Sequence, residues 1–116
     1  MAEKVGPLNG VRAVTCSTAQ AGTVPYMMMA DLGAEVIKIE VPGVGDGSRT
    51  AGELRGDISS FFETNNRGVK SITLNLKSEE GQKILHRLVE TADIFGQNFR
   101  PGAAEKNGFG YEELKK

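Results

Sequence analysis

Three stretches of this chain carry the side chains best suited to chemistry. Residues 17–23 (STAQAGT) surround Gln20 and Ala21 with small hydroxyl and amide groups. Glu40 follows Gln20 by twenty positions, the interval at which dinucleotide-binding folds carry the acid that takes a ribose hydroxyl. Lys77, Arg100 and Lys106 stand at the ends of regular segments, where cations meet phosphate. Neither nucleotide fingerprint is complete. STAQAGT lacks G-x-G-x-x-G, and no Lys-Ser or Lys-Thr follows Gly43, Gly45 and Gly47. Two readings stay open: a site for a phosphorylated ligand, or a plain strand–helix turn with ordinary surface charges.

Other reactive side chains have no companions in the pattern. Asp31, Asp46, Asp57 and Asp93 lack a nearby histidine or second acid that would make an acid–base pair. His86 falls beside the polar side of a helical segment next to Arg87, the position of a solvated histidine. One Cys excludes an intrachain disulfide, and one Cys with one His argues strongly against a zinc site. The lone Cys16 suits a reducing compartment. Met27, Met28 and Met29 read as core filler rather than a channel lining.

The elements that must position these groups alternate between strand and helix. Residues 10–16 (GVRAVTC) are apolar on both faces, as in a buried parallel strand. Residues 24–32 read as a helix, with Pro25 in its first turn and Gly33 as left-handed cap. Residues 34–40 (AEVIKIE) form a second strand, giving a βαβ unit whose strands run parallel. Residues 41–57 carry five glycines and read as a long irregular segment. A short helix is expected over 59–64, and a strand over 70–76 with Ile72, Leu74 and Leu76 on one side. Ser78 opens a helix with Glu79 and Glu80 in its first turn and an apolar stripe of Ile84, Leu85, Leu88, Val89 and Ala92. A short strand over 93–97 follows, then a break at Pro101-Gly102 and a helical turn closed by Gly108. Residues 111–116 (YEELKK) start a new helix that ends without a stop signal, as at a cut.

Composition narrows the class. The 116 residues suffice for one core, and a net charge of -1 gives no field to attract nucleic acid or an anionic membrane. Residues 1–8 lack the apolar run of a signal peptide, and the longest apolar stretch, 24–30, is too short to span a bilayer. The expectation is a cytoplasmic α/β protein.

Several motifs occur in order: P-L-x-G-V-R at 7–12, A-Q-A-G at 19–22, A-D-L-G-A-E-V-I-K-I-E at 30–40, G-D-x-x-R at 45–49, N-R-G-x-K-S-I-T-L-N-L-K at 66–77 and A-D-I-x-x-x-N-F-R-P-G at 92–102. This succession resembles the amino-terminal region of the class III CoA-transferases, the group that includes formyl-CoA transferase and carnitine CoA-transferase. The resemblance implies a Rossmann-like parallel sheet with flanking helices, of which residues 1–116 are the N-terminal, CoA-binding part of the large domain. It further implies CoA and acyl-CoA as substrates, a carboxylic acid as acceptor, no tightly bound cofactor, and an interlocked homodimer at full length. Catalysis in that family runs through an aspartyl anhydride and thioester. No aspartate of this chain matches that nucleophile, so the chain alone is expected to be inactive. Some members racemise or isomerise acyl-CoA instead, and a non-catalytic CoA- or nucleotide-binding module is the rival outside enzymes.

By the same resemblance, Gln20 and Ala21 border the reacting thioester. Leu74, Asn75, Leu76, Lys77, Asn98, Phe99 and Arg100 match stretches that contact the CoA nucleotide, and Lys106 stands where the family often has Arg near the phosphates. Val41 departs from the family, which often has Arg there, and Arg100 stands where formyl-CoA transferase has Gly. Arg100 would then restore the charge lost at Val41.

Overall fold

A computed structural model describes residues 5–115. The terminal positions of the 1–8 and 111–116 readings lie in part outside the described residues.

The element order is β1 (Arg12–Thr15), α1 (Val24–Asp31), β2 (Glu35–Glu40), a 3-10 turn (Gly47–Thr50), β3 (Leu54–Arg55), β4 (Ile58–Ser59), α2 (Ser60–Asn66), β5 (Lys70–Thr73), α3 (Glu79–Val89), β6 (Ile94–Gly96), α4 (Ala103–Lys106) and α5 (Tyr111–Leu114). Four strands form a parallel sheet in the order β5-β2-β1-β6. The α/β class with a parallel sheet and flanking helices is therefore present as expected.

β1 is one of the two inner strands, and both faces of it are covered. Ala13 and Val14 are each fully buried, Val14 lying opposite Ile37 of β2 and Phe95 of β6. Strand alternation divides the core in two. On one face Val14, Cys16 and Ile39 pack with Leu85 of α3, Ala104 and Phe109. On the other, the small side chains of Ala13, Ala30 and Ala34 pack with Val36, next to Met29 of α1.

α1 starts with Pro25 in its first turn and ends before Gly33, whose φ of 102° a side chain would strain. Of the three methionines, Met27 is buried and Met29 half-buried, while Met28 is exposed. Ser78 caps α3 by accepting the Gly81 N–H at 3.1 Å. The inward seam of α3 runs through buried Leu85 and half-buried Leu88 and Val89, with Ala92 packing just past the helix end and Ile84 on the edge, 42% exposed. His86 is half-buried, and its Nε2 donates to the Gly108 carbonyl at 2.8 Å, tying α3 to the turn after α4. It is not the freely solvated side chain that its helical position suggested.

Two boundaries differ from expectation for a physical reason. The strand expected over 70–76 ends at Thr73, which pairs with Glu40, the last residue of β2. Leu74 still donates its N–H to the Glu40 carbonyl at 3.1 Å, but β2 extends no further, so residues 74–77 run on as a loop rather than as strand. The segment 41–57, expected to be irregular, contains the 3-10 turn and β3, which pairs with β4 just beyond it in a short hairpin. The Asp46 carboxylate caps the turn by accepting the Ser48 N–H at 2.9 Å.

Candidate functional site

All four parallel strands release their chains at one edge of the sheet, where α/β folds bind ligands. β1 is flanked by β2 on one side and β6 on the other, so the loops after β1 and β6 leave on either side of a topological switch. A cavity of about 460 Å³ opens at this edge, a size in the usual range for small-molecule sites. Cys16 and Thr18 come from the end of β1. Ile39, Glu40, Val41, Pro42 and Gly45 come from the end of β2 and its loop. Leu74, Asn75, Leu76 and Lys77 follow β5, and Phe99, Asn107 and Phe109 complete the wall.

The cavity joins an apolar floor to a polar rim. Phe99 and Phe109 meet edge to face, with ring centroids 5.7 Å apart, leaving Phe99 41% exposed. An exposed aromatic face of this kind suits a flat heteroaromatic ring. The Lys77 main-chain N–H donates to Asn75 Oδ1 at 3.1 Å, which folds the loop after β5 into a tight turn. Among the described residues the side chains of Lys77, Arg100 and Lys106 form no ion pair, so their charges are available to an external anion.

Of the residues singled out in the sequence, Leu74, Asn75, Leu76, Lys77 and Phe99 meet on this cavity. Gln20, Ala21, Asn98, Arg100 and Lys106 do not line it and are exposed. Asn98 instead fastens the β6 loop to Thr18 through two hydrogen bonds. The Gln20 carbonyl accepts the N–H groups of Thr23 and Val24, each at 3.1 Å, at the entry to α1. Lys106 ends α4, one residue before the wall residue Asn107. Val41 lies on the wall and Arg100 does not, so the two are not side by side on its surface.

Glu40 is committed elsewhere. Its carboxylate accepts from Arg49 Nε at 2.8 Å, Arg49 Nη2 at 2.7 Å, Ser71 Oγ at 2.5 Å and the Asp46 N–H at 2.7 Å. The Arg49 guanidinium foremost, then Ser71 and the Asp46 amide, hold its pKa down to about 2 against the cost of burial. With four donors in place it has no free lone pair for a ribose hydroxyl, which removes the dinucleotide reading of this residue. Cys16, on the apolar floor, is driven the other way: burial pushes its thiol up to about 12. No group of three or more His, Cys, Asp or Glu side chains among the described residues could hold a metal ion.

Sequence reasoning missed Cys16, Thr18, Ile39, Pro42, Gly45, Asn107 and Phe109 as wall residues. Cys16 and the start of the β2 loop were within reach, because the end of a parallel strand faces the ligand crevice. Asn107 and Phe109 carried no local signal, since only the tertiary path after α4 returns them to the cavity.

The family model for CoA-transferase family III matches residues 8–116. The chain belongs to CoA-transferase family III. Among curated relatives of the family, it is 44% identical to the acetyl-CoA:oxalate CoA-transferase of Acetobacter aceti, over 99% of this chain and 30% of that protein. It is 40% identical to the human succinyl-CoA:glutarate CoA-transferase, over 95% of this chain and 25% of that protein. The crystal structure of Rv3272 from Mycobacterium tuberculosis superposes with a TM-score of 0.89 at 38% identity, over 97% of this chain and 32% of that one. A CAIB/BAIF family protein from Brucella suis gives 0.88 at 39% identity, over 96% and 30% respectively. The chain thus spans about a third or less of the family members it matches.

Proposed function

We propose that this chain forms the nucleotide-facing wall of the CoA site of a CoA-transferase that moves CoA between an acyl-CoA donor and a carboxylic acid. The observation that carries the reading is the convergence of Leu74, Asn75, Leu76, Lys77 and Phe99 on one cavity at the carboxyl edge of the sheet. Phe99 and the leucines offer an apolar surface to the adenine ring, and Lys77 offers a point charge to the phosphates. Gln20 and Ala21, on the adjoining β1 loop, are assigned to the reacting end of the ligand. Arg100 and Lys106 are assigned to longer-range attraction of the phosphates.

The chemistry assigned to the whole protein is stepwise acyl transfer. A carboxylate oxygen of an aspartate attacks the thioester carbonyl and expels the CoA thiolate, leaving an acyl–aspartyl anhydride. The thiolate attacks the aspartyl carbonyl, releases the first acid as its carboxylate and leaves an aspartyl-CoA thioester. The acceptor carboxylate then attacks that thioester and expels the thiolate, leaving an acceptor–aspartyl anhydride. The thiolate attacks the acceptor's acyl carbon, which forms the new acyl-CoA and releases the aspartate as its carboxylate. Each exchange replaces one difficult step by easier ones. None of the four aspartates lines the cavity: Asp46 is paired with Lys38, Asp31 with Arg67, Asp93 accepts the Arg12 N–H, and Asp57 is exposed. The nucleophile is therefore assigned to residues outside this chain. A homodimer and a cytoplasmic setting belong to the same proposal. No helix among the described residues is long and apolar enough to cross a membrane.

Calorimetric titration with CoA tests the reading. The unvaried protein should bind CoA, and Lys77→Ala should weaken binding about five- to tenfold, with a shallower dependence on salt. Absence of CoA binding at millimolar ligand would sink the assignment.

A further inference from the structure

Between the sheet and residues 41–57 lie one buried ion pair and a second whose arginine reaches the surface. Lys38 and Asp46 are each 1% exposed and paired, and Glu40, 4% exposed, is paired with Arg49. A buried ion pair adds little net stability over apolar residues of the same volume. Its geometric consequence is more specific. Asp46 Oδ2 takes the Lys38 ammonium, which also donates to Asn66 Oδ1 of α2 at 2.8 Å. Asp46 Oδ1 accepts the Ser48 N–H at 2.9 Å, the Ser48 hydroxyl at 2.8 Å and the Ala19 N–H at 3.3 Å.

Ala19 is the only non-glycine among the described residues with positive φ, at 60°. That backbone state costs an alanine roughly 1 kcal/mol or more and persists only where its surroundings hold it. Its N–H is held by Asp46, and its carbonyl by the hydroxyl of Thr23 at the start of α1. Ala19 lies between Thr18, on the cavity wall, and Gln20. The opposite wall depends on the same residue. The Asp46 N–H is bound to Glu40, and a Cβ on Gly45 (φ 71°) would lie 2.7 Å from Glu40 Oε2.

We infer that Asp46 is a positioning residue that couples the β1 and β2 loops: its carboxylate holds Ala19 in the left-handed state and so sets the wall at Thr18 and the path of Gln20. Its effect on ligand binding rests on the cavity being the CoA site. The coupling itself does not.

Two double variants of the full-length protein separate positioning from charge burial. Lys38→Met with Asp46→Asn removes both charges but keeps an oxygen acceptor facing Ala19. Lys38→Met with Asp46→Leu removes both charges and the acceptor. Amide hydrogen exchange across residues 18–23 should be about tenfold faster with Leu than with Asn, and CoA should bind about tenfold more weakly, because the Leu variant lacks the acceptor that holds Ala19 and Ser48. Exchange in α3 should match in the two variants, which a general loss of stability would not allow. Equal exchange across residues 18–23 overturns the inference. In the unvaried protein the Ala19 amide should exchange at least about tenfold more slowly than that of exposed Ala21, since a hydrogen-bonded amide must open first. An unprotected Ala19 overturns the inference even if the Leu variant fails to fold. Failure of the unvaried protein to bind CoA removes the site reading, while exchange still decides the coupling.

Discussion

Thr18 and Asn98, eighty positions apart, exchange two hydrogen bonds: the Thr18 N–H donates to Asn98 Oδ1 at 3.0 Å, and Asn98 Nδ2 donates to the Thr18 carbonyl at 2.9 Å. The pair mimics a short piece of strand pairing beyond the ends of β1 and β6, using a side-chain amide in place of a peptide. It closes the crevice at the point where the sheet reverses its order. Gly22 permits it, since a Cβ there would lie 2.5 Å from Asn98 Nδ2 and 2.7 Å from the Thr18 carbonyl.

Asn98→Ala should therefore cost about 1–2 kcal/mol by chemical denaturation. It should weaken CoA binding more than its own distance from the cavity wall suggests, because Thr18 loses its anchor. Gly22→Ala should give the same loss of binding without removing any polar group. Unchanged CoA affinity in both variants would mean that the Thr18–Asn98 tie does not shape the site.

The sheet was legible because its strands are short apolar alternations punctuated by glycine, and because a βαβ order leaves parallel pairing as the simplest outcome. The loop residues 74–77 were legible as a group, but 74–76 were expected to be strand. Their release depends on where β2 runs out, which is a property of the partner. Asp46 and Lys38 were not legible as a pair at all. Lys38 sits inside an apolar strand and Asp46 inside a glycine-rich stretch, and only the return of that stretch over the sheet brings them together. Asn98 was singled out as a ligand contact, whereas its hydrogen bonds go to the neighbouring loop.

Glu40 makes stability depend on acid. Its folded pKa, about 2, lies below the ordinary carboxylate value of 4.5, so the folded state binds this proton less readily than the unfolded state. The stabilisation is whole above about pH 4.5 and is lost as pH falls toward 2. Asp46 and Glu35, whose pKa values are also lowered, act in the same sense. The comparison with Glu40→Gln isolates Glu40. The stability gap between the two proteins should be widest at pH 6 and should narrow steadily down to pH 2. A gap independent of pH would show that Arg49 does not hold the carboxylate charged.

Gly81 is a packing requirement of the loop after β5. It lies in the first turn of α3, and an added Cβ would overlap the Asn75 carbonyl, which is backbone and cannot swing aside. Asn75 is on the cavity wall. Gly81→Ala would raise helix propensity by about 1 kcal/mol in an open helix. Here it should instead destabilise the protein, by about 2 kcal/mol or more, because the loop must shift to admit the methyl group. Thermal denaturation and CoA titration together check this: a stabilised variant with intact binding would show that the loop can move freely.

Cys16 gives a reporter on the cavity floor. Burial raises its thiol from 9.0 to about 12, so at pH 8 only about one molecule in ten thousand carries the thiolate. The thiolate is the species that reacts with alkylating agents, and the side chain is also 3% exposed. Iodoacetamide at pH 8 should accordingly leave the folded protein unmodified over hours and label it within minutes in denaturant, as read by intact mass. Residual labelling of the folded protein should fall further with saturating CoA, because Cys16 is part of the cavity wall. Rapid labelling without denaturant would mean that the floor opens easily, and CoA-insensitive labelling would place the ligand away from it.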